Sequence, residues 1–100
     1  MEQERRRILS FEQAAETFAM QLQLFPEVMD EFIKLSGGSM GVANALMETI
    51  ADEISYMPME ETTPHRIRSI VGAPDEPEQL GEWRGQFWDQ YKAARTQASD

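Results

Sequence analysis

The chain has 100 residues, 41% of them hydrophobic, with 18 acidic and nine basic side chains, no cysteine and a net charge of −9. This length fits one domain around one core, and the lack of cysteine excludes disulfides and thiolate metal sites. The acidic balance opposes binding to nucleic acid or anionic lipid and favours basic surfaces.

The charge is unevenly placed. Residues 12–61 hold ten carboxylates against a single base, Lys34. The other bases sit at the margins: Arg5, Arg6 and Arg7, then Arg66 and Arg68, then Arg84, Lys92 and Arg95. No apolar run approaches the ~20 residues that cross a bilayer. No apolar stretch follows the charged start, as a secretory signal requires. A cytoplasmic protein is expected, with one helical domain over residues 1–100 and residues 1–9 as a flexible or extended basic segment.

Helical periodicity dominates. Ile8, Phe11, Ala15, Phe18, Leu22 and Phe25 recur at spacings of three and four, which predicts a first helix with one apolar face. Ser10 and Gln13 fit a capping box, with Leu9 placed to staple against Ala14. Pro26 ends this helix and suits the first turn of the next, whose apolar side carries Val28, Met29, Phe32, Ile33 and Leu35. Gly37 is its expected stop.

Ser39 is placed to cap a third helix reaching to about Met57. Ala43, Leu46, Met47, Ile50, Ile54 and Met57 form its apolar arc. Pro58 ends it, and residues 58–63 read as a loop that could partly cover Tyr56. Thr63 and Pro64 open a short fourth helix with Ile67, Ile70 and Val71, closed by Gly72. Asp75 and Glu78 offer another capping box. A last helix from about Pro77 to Gln97 carries Leu80, Trp83, Phe87, Tyr91 and Ala94 on one side. No stretch alternates as a strand does. The fold class expected is all-α, an irregular bundle of about five helices, three of them substantial.

Residues with catalytic chemistry are sparse. The one histidine, His65, sits in the first turn of a short helix, where the ordinary role is solvent-exposed. Glu48 with Asp52 and Glu27 with Glu31 are one turn apart and could in principle hold a divalent ion or supply an acid and a base. They lie opposite the apolar arcs, so they are expected to face water. The Ser36–Gly41 loop opens onto a helix start but lacks the Gly-Lys-Ser/Thr ending of a P-loop. No cofactor, no metal and no enzymatic activity are expected.

Three surfaces suggest binding instead. Leu9, Met20 and Leu24 lie off the main stripe of the first helix, which points to self-association as a homodimer or to cover by the rest of the chain. Glu48, Asp52, Glu53 and Tyr56 line the outer face of the third helix, and Glu27, Asp30 and Glu31 that of the second. An aromatic set among acids can anchor and steer a basic partner. On the last helix, Gly81 and Gly85 form a notch beside Trp88, which implies close approach by the 72–77 loop or by a partner.

The function expected is therefore non-enzymatic: a small acidic regulator or inhibitor that binds a basic or apolar surface of another protein, such as a nucleic-acid-binding protein. The alternatives are a DNA-binding helix-turn-helix built around Arg66 and Arg68, a carboxylate-metal enzyme, and a structural assembly component.

Overall fold

The computed structural model describes residues 6–57 and 62–99, with side chains to residue 96. They form five α-helices: α1 Phe11–Leu24, α2 Pro26–Ser36, α3 Met40–Tyr56, α4 Pro64–Val71 and α5 Leu80–Ser99, the last entered through a 3-10 turn at Pro77–Gln79. There is no strand among the described residues. The all-α bundle is as the periodicity requires.

The helix ends follow local chemistry. The Ser10 hydroxyl accepts from Gln13 N–H while the Gln13 side chain accepts from Ser10 N–H, so the capping box is complete. Ser39 and Thr63 cap α3 and α4 through Val42 N–H and Arg66 N–H. Gly37 and Gly72 close α2 and α4 in the left-handed region, at φ 61° and 71°. The Asp75–Glu78 box does not form. The chain instead enters the 3-10 turn through Glu76 and Pro77 with no side-chain cap.

The α3 helix is the centre of the bundle and packs on α1, α2, α4 and α5. Its Leu46, Ile50 and Ile54 meet Phe18 of α1, Leu35 of α2 and Ile67 of α4 in a fully buried core. Phe18 and Phe32 pack edge to face with ring centroids 5.8 Å apart. One polar pair is sealed in as well: the Thr62 hydroxyl donates to Gln21 Oε1, and both residues are buried. It pins the end of the α3–α4 connection to α1.

Four large residues expected on apolar stripes are exposed: Ile8 at 69%, Phe11 at 38%, Ile33 at 55% and Met57 at 52%. Ile33 lies within α2 but two residues from both Glu31 and Leu35, which turns it away from the buried stripe; the other three lie where the helical period has not begun or has already ended. Ile8 precedes α1, Phe11 is its first residue, and Met57 has left helical geometry at φ −133°. The α5 stripe also fails late. Leu80, Trp83 and Phe87 pack on the core, Tyr91 is half-buried and Ala94 is exposed.

Arg84 joins α5 to the end of α2. Its Nε donates to Leu35 O and its Nη2 to Lys34 O, both at 2.9 Å. These carbonyls belong to the last turn of α2, which has no partners of its own for them.

Candidate functional site

Most of the acids on the outer face of α3 are engaged by the chain itself. Arg7 Nη2 donates to Asp52 Oδ1 at 2.7 Å and Nη1 to Ser55 Oγ at 2.6 Å, with the guanidinium 4.8 Å from the Tyr56 ring centroid. The N–H groups of Ile8 and Leu9 both donate to Ser55 O, at 2.7 and 3.1 Å. Residues 7–9 are thus a docked segment, bent at Ile8 and Leu9, not a free arm; residues 1–5 lie outside the described residues. The last turn of α3 carries no base of its own, and its carbonyls make the negative end of the helix dipole. Arg7 and two backbone donors supply what that turn lacks. Glu53 is half-exposed and also has a partner.

One turn toward the helix start, Glu48 Oε2 accepts from Tyr91 Oη, from Asn44 Nδ2 at 3.2 Å and from Arg95 Nη1 at 3.4 Å. Arg95 Nη1 also donates to Tyr91 Oη at 2.7 Å. The pKa of Arg95 is raised, first by that hydrogen bond, then by attraction to Tyr91 and Glu48. Trp88 stacks on Tyr91 with centroids 5.6 Å apart and lies against Gly41. A cleft of about 540 Å³ opens here, with Asn44 and Gly41 on one wall and Tyr91, Lys92, Arg95 and Thr96 on the other. Lys92 pairs with Asp89 at 3.8 Å and Arg95 with Glu48, so the cleft carries almost no net charge.

The α2 acids divide. Glu27 and Asp30 are exposed, but Glu31 is only 8% exposed. The expectation that it faces water is corrected. Glu31 stands three residues after Val28 and four before Leu35, on the buried stripe of α2. Arg68 Nη1 meets it at 3.1 Å, and Arg68 Nε lies 3.4 Å from Asp75. The sequence signal was present: an acid in register with an apolar stripe implies a partner cation.

The α1 strip is also revised. Leu9 is half-buried against the core, whereas Met20 and Leu24 are 59% and 62% exposed. Glu12 and Glu16 are exposed on the same helix. Glu12, Glu16, Met20 and Leu24 follow one another every four residues, so they make one ridge that is acidic at its start and apolar at its end. The spacing of four that joins these acids to the apolar pair is the sequence signal of this ridge.

Gly81 and Gly85 have nothing within 4 Å of the place a Cβ would occupy. The expected close approach of the 72–77 loop is absent. The glycines that are closely approached are Gly37, by the Arg84 guanidinium, and Gly41, by Trp88. Among the described residues no three His, Asp or Glu side chains cluster closely enough to hold a metal ion, and no helix is long and apolar enough to cross a membrane. His65 is exposed. No family model, curated protein or solved structure matches the chain.

Proposed function

We propose that the protein is a non-enzymatic interaction module, a small acidic cytoplasmic regulator that docks on a basic or apolar surface of another protein and blocks its activity. A nucleic-acid-binding protein is the type of partner whose surface fits. The observation that carries this reading is the α1 ridge. Met20 and Leu24 are large apolar side chains left in water, and Glu12 and Glu16 continue their line without an ion pair among the described residues. Apolar anchors give affinity when buried by a partner, while adjoining acids set its sign of charge and speed its approach. Glu27, Asp30 and the 55%-exposed Ile33 repeat the same mixture on α2.

Homodimerisation through Met20 and Leu24 is the second reading, favoured by their exposure. The carboxylates beside them favour a basic partner over a second acidic copy. The helix-turn-helix alternative is weakened because Arg68 is held by Glu31 and Asp75, on a helix of only eight residues.

The test is capture from a lysate of the source organism on immobilised protein, wild type beside Met20→Glu/Leu24→Glu. Recovery of a defined basic partner should fall about tenfold in the variant, as expected for ~1.4 kcal/mol of lost anchor energy. Equal recovery by both proteins would remove α1 as the docking face. Sedimentation of the same two proteins separates the readings. A wild-type dimer that the variant abolishes selects self-association.

A further inference from the structure

We propose that the end of α3 is an arginine-reading dock, and that residues 7–9 are its resident occupant, displaced by an arginine-bearing segment of a partner protein that takes the same bend. This rests on the reading of the molecule as a module for basic partners and names the chemistry that one surface selects.

The dock recognises a guanidinium by three different features. Asp52 supplies charge at 2.7 Å, the Ser55 hydroxyl a neutral acceptor at 2.6 Å, and Tyr56 an aromatic face 4.8 Å away. Only a planar fork of donors satisfies all three at once; an ammonium is a point charge and cannot. The receptor is also positioned before the arginine arrives. Ser55 is fully buried and its hydroxyl donates to Asp52 O at 2.6 Å, which leaves its lone pairs turned toward the guanidinium. Beside it, Ser55 O takes two successive backbone N–H groups, so the dock reads a bent backbone following the arginine, one whose neighbouring N–H groups converge on a single oxygen. Neither of those N–H contacts depends on which side chains follow.

The resident is built to be exchanged. The Arg7 and Asp52 side chains are 41% and 51% exposed, so solvent screens their ion pair. Ile8, next in line, is 69% exposed and leaves most of its side chain in water. What holds the segment is Leu9, half-buried against the core, together with its tether, which supplies an effective concentration on the order of millimolar. A partner segment carrying the same arginine competes once it adds contacts of its own, and Met57, 52% exposed and next to Tyr56 in sequence, gives it an apolar one. A purely structural account, in which residues 7–9 only cap α3, predicts no such exchange.

The experiment titrates a fluorescein-labelled, N-acetylated, C-amidated peptide copying residues 6–10 (Arg-Arg-Ile-Leu-Ser) into the full chain and reads anisotropy. Wild type, Arg7→Ala and Arg7→Ala/Asp52→Asn are compared, each checked for an intact fold by circular dichroism. The Arg7→Ala protein should bind saturably and at least about fivefold more tightly than wild type. Adding Asp52→Asn, or replacing both peptide arginines with lysine, should weaken binding at least about fivefold. Where a variant does not fold, saturating peptide on wild type should shift the amide resonances of Ile8, Ser55 and Tyr56 together. Unsaturable binding to folded Arg7→Ala, or equal affinity for all three proteins, overturns the proposal. So does a wild-type dimer that Arg7→Ala converts to monomer, since the occupant would then be a second copy. None of these outcomes involves Met20 or Leu24, so the dock can fail while the α1 reading stands.

Discussion

Trp88 of α5 rests on Gly41 of α3 so closely that a Cβ on Gly41 would lie 2.9 Å from the far edge of the indole. This contact, with the Trp88–Tyr91 stack behind it, is how the outer half of α5 is held against the bundle. Gly41→Ala should therefore move the indole rather than unfold the helix. The helix-propensity gain of up to ~1 kcal/mol offsets the lost fit, so stability should change by less than about 1 kcal/mol. The check is Trp88 emission in a Trp83→Phe background, where the spectrum should shift and quenching by iodide should rise.

The Glu31–Arg68 pair places a largely buried carboxylate against a cation that is itself 26% exposed. Arg68→Ala should cost about 2 kcal/mol, below the 3–5 typical of a fully buried pair, because an unpaired buried charge remains. Glu31→Leu combined with Arg68→Leu should recover more than half of that loss. Urea unfolding of the single and double variants measures both.

Thr62→Val removes the donor to Gln21 Oε1 and leaves that oxygen buried. The expected loss is about 1–3 kcal/mol, with little change in helix content. Gln21→Leu on top of it should be less destabilising than the sum, since the pair would then be apolar on both sides. A double-mutant cycle read by thermal melting decides this.

Gly81 and Gly85 lie in α5 with open space where side chains would go. Alanine at each should stabilise by roughly 0.5–1 kcal/mol through the lowered cost of ordering the backbone. Together they should raise the melting midpoint by several degrees in a domain of this size. A fall in the midpoint would mean that the exposed glycines serve a conformation other than this helix.

The helices and their ends could be read from the chain because their causes are local. Ser10, Ser39 and Thr63 cap through groups three residues away, and Gly37 and Gly72 stop helices by their own backbone freedom. The core of α3 was equally legible, since Leu46, Ile50 and Ile54 keep one period over about two turns. The candidate surfaces were less so. Whether Asp52 meets water or Arg7, and Glu48 water or Arg95, depends on residues more than forty positions away. Helical spacing puts an acid on a face but says nothing of what folds over it. Glu31 is the intermediate case. Its register with Val28 and Leu35 signalled burial, and only its partner Arg68 was out of reach.

The last carbonyls of α2 are received by Arg84, from the start of α5, and those of α3 by residues 7–9, from ahead of α1. Neither helix completes itself, and each waits on a stretch of chain nearly half the molecule away. A nick or deletion at either margin would therefore fray a helix in the middle. The segment ahead of α1 and the start of α5 are clasps on the interior, and the bundle should melt as one unit, not helix by helix.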